Sequence, residues 1–75
     1  MAKYDELRHF LARTKRPIEM TFDQIANLVG GLPPSAYEHR AWWSNNLDHV
    51  QAQAWMRAGR RVDWVNILRR RVRFS

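Results

Sequence analysis

Residues 21–38 read TFDQIANLVGGLPPSAYE, and their punctuation decides the fold. Thr21 followed by Gln24 has capping-box spacing, in which a hydroxyl accepts from a backbone N–H three residues on while the amide side chain reaches back. Ile25, Leu28 and Val29 then recur at helical spacing as an inward face. Gly30 supplies a left-handed stop. Leu32-Pro33-Pro34 forms a rigid turn, and Ser35 with Glu38 repeats the capping-box spacing, so another helix begins at once. Two short capped helices on a tight glycine-containing corner predict a helix-turn-helix.

On the N-terminal side, residues 4–13 (YDELRHFLAR) place Tyr4, Leu7, Phe10 and Leu11 on one helical face. Asp5 and Glu6 stand in its first turn, where the helix dipole favours negative charge. Pro17 disfavours helix at Arg16. Ile18, Met20 and Phe22 then alternate with Glu19 and Thr21, which predicts a short half-buried strand.

On the C-terminal side, the helix opened at Ser35 is expected to run to about Trp43. Ser44-Asn45-Asn46 then interrupts it with residues that prefer turns and caps. Asp48 is the expected cap of a further helix ending at Gly59, with Val50, Ala54, Trp55 and Ala58 on its apolar period. In the tail, Val62 and Trp64 alternate before the apolar parity shifts to Val65 and Ile67, which predicts a bulge. Leu68 to Arg71 form a turn, and Val72 and Phe74 alternate with Arg71 and Arg73. The prediction is an α+β, winged helix-turn-helix-like chain ordered helix-strand-helix-helix-helix-strand-strand. It has a small antiparallel sheet and one domain spanning residues 1–75.

Composition narrows the function. The chain has 75 residues and no cysteine, so neither a disulfide nor a thiolate metal site can staple it. Stability must come from packing, which nine aromatic residues make feasible. Residues 1–38 hold five basic and five acidic side chains, whereas residues 39–75 hold eight arginines and two aspartates. The whole +6 excess therefore falls in the second half. All of it is arginine, whose planar fork of donors suits phosphates and guanine edges. No run is long enough to span a bilayer, and MAKYDELRHF lacks the apolar core of a signal peptide. The expected location is the cytoplasm, at the nucleoid.

Catalysis has little to stand on. No Ser-His-acid arrangement or phosphate-cradling glycine loop is readable from spacing, and His9, His39 and His49 match no metal motif. The expectation is a non-enzyme without cofactor. Duplex DNA binding fits better, because it needs cations for phosphates and polar side chains for base edges. Arg40, Arg57, Arg60, Arg61, Arg69, Arg70, Arg71 and Arg73 are phosphate candidates. Asn45, Asn46, Gln51 and Gln53 are base-edge candidates, since amides can pair two-pronged with adenine, and Arg40 could serve guanine. Ser44 and His49 complete the corner. Asn45 and Asn46 also suit helix capping, and Trp43 suits either the core or a sugar contact. Trp42 and Trp55 are expected in the core.

The run LPPSAYEHRAWWSNNLDHVQAQAWMRAG, residues 32–59, resembles a family of small bacterial domains. Their pattern reads LP-x-SA-x-x-HRAWWSN, then H-x-QA-x-AW, then AGW-x-V. TFDQIANLVG and YDELRHFL also resemble that family's start, so the likeness covers nearly the whole chain. It implies a winged-helix DNA-binding module. Where the family tends to have Gly-Trp, this chain has Gly59-Arg60-Arg61, a change expected to tighten phosphate binding.

The reading is a small nucleoid-associated or regulatory DNA-binding protein. Residues 35–53 would address the groove, and the arginine-rich wing would grip phosphates. Its main competitor is a protein-interaction module (antitoxin, adaptor or inhibitor) that docks on an acidic partner, with tryptophans as anchors. RNA binding stands third and would call for exposed aromatics.

Overall fold

Thr21 closes a strand and caps a helix. In a computed structural model describing residues 2–75, β1 spans Ile18–Thr21 and α2 spans Phe22–Val29. The Thr21 hydroxyl accepts from the Gln24 N–H at 3.1 Å, and the Gln24 amide oxygen accepts from the Thr21 N–H at 2.9 Å. Two backbone donors at the helix start are thereby satisfied. Gly30 ends α2 at φ 76, a conformation that would strain any residue with a Cβ.

Before β1, α1 (Asp5–Arg13) buries Leu7 and Leu11. Tyr4 is buried just ahead of it, and Phe10 packs at the margin. Burial pushes the Tyr4 phenol above its ordinary pKa, because the phenolate would lose its solvation.

After the Gly30 corner comes α3 (Pro34–Glu38), followed by a 3₁₀ turn at Arg40–Trp43 and then α4 (Val50–Arg57). Three expectations are corrected here. The Ser35/Glu38 capping box does not form, since Pro33 is the cap and Pro34 opens the helix. Ser35 thus already lies inside, and proline's fixed φ starts the turn without a side-chain cap. The helix does not continue to Trp43, because His39 is extended at φ −128, ψ 120. Asp48 does not cap α4; His49 takes that position without a side-chain bond. The Asp48 N–H instead donates to the Asn46 side chain at 2.9 Å, forming a local turn.

Packing explains the break at His39. It seats two adjacent indoles in one cluster. Trp43 stacks between Phe22 (4.8 Å, 21°) and Trp55 (5.9 Å, 17°). Trp42 stands edge-on to Trp43 at 4.7 Å and to Tyr4 at 6.1 Å. Aromatic pairs in these arrangements add to the area they bury, and tertiary packing rather than propensity sets where short helices stop.

The hairpin consists of β2 (Val62–Asn66) and β3 (Arg71–Phe74), and the sheet order is β1-β3-β2, antiparallel throughout. The register aligns Met20, Val72 and Val65 across the three strands, and likewise Glu19, Arg73 and Trp64. Val72 and Phe74 are fully buried, so alternation sends Glu19, Arg73 and Trp64 to the outer face. A bulge is present but earlier than expected: the register shift lies between Val62 and Trp64, so these two do not share a face, and Trp64 to Val65 alternate regularly. The architecture is α+β in the anticipated order and winged-helix-like, with an extra helix ahead of the hairpin. Among the described residues, no helix is long and apolar enough to cross a membrane.

Candidate nucleic-acid interface

Of the fifteen side chains singled out for contact, Arg57 is exposed on α4 and Arg73 pairs with Asp63 at 3.4 Å; the other thirteen divide into three groups. Four turn inward. Trp43 is 1% exposed and donates its Nε1–H to the Ala36 carbonyl at 2.9 Å. Gln51 is buried and donates to the Trp42 carbonyl at 2.9 Å. Asn45 accepts from Trp55 Nε1 at 3.0 Å and from the Val62 N–H at 2.9 Å, and donates to the Val62 carbonyl at 3.0 Å. Its amide thus pairs with the outer edge of β2 much as a neighbouring strand would, and ties that edge to the aromatic core. An amide engaged on both of its polar atoms has little left for a base edge.

Arg60 is the fourth, and it corrects the expectation drawn from Gly59-Arg60-Arg61. It is 6% exposed. Its guanidinium donates to the carbonyls of Leu11 (3.2 Å), Arg16 (2.7 Å) and Thr14, and to the Thr14 hydroxyl (2.7 Å). Among the described residues no carboxylate pairs with it; the carbonyls at and just beyond the end of α1 offset the charge, where the helix dipole is negative. The position beside the hairpin therefore holds a structural cation and not a phosphate ligand. Arg60→Ala is expected to cost about 2–3 kcal/mol, since hydrogen bonds to a charged group are lost and carbonyls are left unpaired. Urea denaturation checks this. Lysine should not restore it, because an ammonium lacks the planar fork.

The second group holds the corner together. The Ser44 hydroxyl donates to the Ala41 carbonyl at 2.8 Å and Gln53 donates to the Leu47 carbonyl at 2.9 Å, while Asn46 accepts from Asp48. His49 is half-buried, and its Nδ1 is enclosed without a hydrogen-bond partner. Asn46 remains exposed and Gln53 partly so. Each keeps free polar capacity beyond its single bond.

The third group faces solvent: Arg40, Arg61, Arg69, Arg70 and Arg71. Arg71 forms a partly exposed ion pair with Glu19 at 3.5 Å. Arg69 and Arg70 have no carboxylate partner among the described residues. Arg70 lies over the Tyr37 ring, 5.1 Å from its centroid, so the hairpin tip docks on α3. Phe22 N–H also donates to the Arg70 carbonyl at 2.9 Å, tying the same tip to the start of α2. The hairpin tip is therefore held against α3 and the start of α2.

Two features escaped the sequence reading. Tyr37 as the seat of Arg70 is a contact between distant segments with no local signature. Leu68, 93% exposed at the tip, was visible only as an apolar residue inside an arginine-rich turn. Among the described residues, no group of three His, Cys, Asp or Glu could hold a metal ion.

No curated protein and no solved structure matches the chain. A family model does match, over residues 4–75, and carries the description Domain of unknown function (DUF7662). The chain belongs to that family, which spans nearly its whole length.

Proposed function

We propose that this chain is a small duplex-DNA-binding domain of the nucleoid-associated or regulatory kind, acting in the cytoplasm by binding and not by catalysis. One observation carries the reading. The hairpin of a winged-helix-like fold ends in Arg69 and Arg70, both exposed and without a carboxylate partner among the described residues, and is braced against α3 and the start of α2. Adjacent like charges repel, and a braced tip that holds them out to solvent suits an anion. With Arg71 adjoining them in sequence, the tip would grip phosphates; Arg61, paired with Ser75 at the other end of the hairpin, would add a separate contact. Base-edge contacts would fall to Arg40, Asn46 and Gln53, the exposed or half-exposed members of the original set.

The test is fluorescence anisotropy with a labelled duplex across a salt series. Arg69→Ala should weaken all duplexes alike and lower the salt slope by about 1, the signature of one lost phosphate contact. It is a cleaner variant than Arg70→Ala, which would also remove the contact with Tyr37. An unchanged slope would remove Arg69 from the phosphate set.

A protein-interaction reading is favoured by a different observation. Leu47 and Val50 are exposed at the start of α4, where an apolar partner surface could cover them. It predicts that duplex DNA fails to bind even at low salt.

A further inference from the structure

We infer that Leu68 is a wedge that enters the minor groove of duplex DNA, so that the chain bends the site it binds. This rests on the DNA-binding reading above and adds a mode of binding to it. Leu68 is 93% exposed, far more than Leu47 at 53% or Val50 at 59%. It occupies the apex of the turn between β2 and β3, where asparagine, glycine or serine would link the strands without presenting an apolar side chain to water.

The same turn departs from ordinary turn chemistry again at Arg70. That residue is left-handed at φ 54, the one non-glycine residue with positive φ among those described. Glycine or asparagine takes this conformation at least strain. Two local rules are thus broken within three residues: an apolar side chain stands in solvent at the apex, and a left-handed arginine beside it lies over Tyr37. Departures of this kind are expected where function, rather than folding, sets the residue.

The turn is also held firmly. Asn66 Oδ1 accepts from the Arg69 N–H at 3.0 Å, and the Arg70 N–H donates to the Ile67 carbonyl at 3.2 Å. The Arg70 carbonyl is fixed by Phe22 and its guanidinium by Tyr37. Leu68 is therefore presented by a braced loop. An apolar side chain that protrudes from a braced loop, flanked by arginines, has the features with which minor-groove proteins part a base step and kink the duplex. Pyrimidine–purine steps, TA above all, part most readily and are the expected sites. A hydrophobic socket on a protein is the other surface that could receive Leu68, and the experiment distinguishes the two.

The experiment uses the full chain and a duplex carrying one central TA step, with a donor and acceptor dye at its ends and 2-aminopurine beside the step. Binding is read by anisotropy, bending by energy transfer and unstacking by 2-aminopurine fluorescence. The wild-type chain is expected to bend the duplex by about 20–90° and to raise the 2-aminopurine signal. Leu68→Ala should bind within about three-fold of wild type, because affinity rests on phosphates, yet lose both signals. Its thermal midpoint should be unchanged, since the side chain packs against nothing. Leu68→Phe should retain the bend. Binding without a bend, or a bend that Leu68→Ala retains, overturns the wedge and leaves the DNA reading standing. Failure of the wild-type chain to bind any duplex at low salt overturns that reading and the wedge with it.

Discussion

Trp43→Ala is expected to leave the domain largely unfolded at 25 °C. Truncating a buried tryptophan typically costs about 3–5 kcal/mol, and a core of this size supplies little more than that in total. Trp43 is the middle of an aromatic stack, with Phe22 on one face and Trp55 on the other. Its indole N–H also satisfies the Ala36 carbonyl across the break at His39. Removing it takes the common partner from α2, α3 and α4 at once. Far-ultraviolet circular dichroism with urea titration measures the loss. A cooperative transition at the wild-type midpoint would show that the stack does not organise the core. Trp43→Phe keeps a ring but loses the hydrogen bond, and should cost less.

Asn45→Ala is expected to cost about 2–4 kcal/mol, the sum of several bonds lost and of donors left unpaired where water has limited access. The two donors are Trp55 Nε1 and the Val62 N–H, and the Val62 carbonyl loses its partner as well. The outer edge of β2 would be freed, and an unpaired strand edge invites pairing between chains. The variant should therefore both melt earlier and self-associate. Read as a base contact, Asn45 would behave differently, shifting sequence preference without a loss of stability. Measuring the urea midpoint and the selected DNA sequences on one variant separates the two roles. A shifted preference at wild-type stability would contradict the structural one.

That contrast marks where sequence was legible and where it was not. The Thr21–Gln24 box and the Gly30 stop act within a few residues and are present, and the β2 bulge is present one step before its expected place. Local signals of that kind placed the elements in order and so conveyed the winged-helix-like plan. Polar partners are another matter. Asn45 meets Val62 seventeen residues on, and Arg60 meets Leu11 forty-nine residues back. Spacing cannot show such pairs, so both residues read as surface groups. Arginine was the more misleading, because a buried cation neutralised only by carbonyls at a helix end has no sequence signature. The break at His39 was hidden for a similar reason. Residues 35–43 read as one helix locally, and only the need to seat Trp42 and Trp43 in one cluster divides them. The hairpin tip was the reverse case. Its arginines were plain in the sequence, and the structure added the contact with Tyr37 and the exposure of Leu68.

The central claim is that exposed arginines hold duplex phosphates, and its most direct measure is the affinity of the wild-type chain for a mixed-sequence duplex from 50 to 200 mM salt. The expected result is a linear fall of log K with log salt at a slope of about −3 to −4, as four phosphate contacts by Arg61, Arg69, Arg70 and Arg71 would give. A flat dependence, or no binding at the lowest salt, would contradict it.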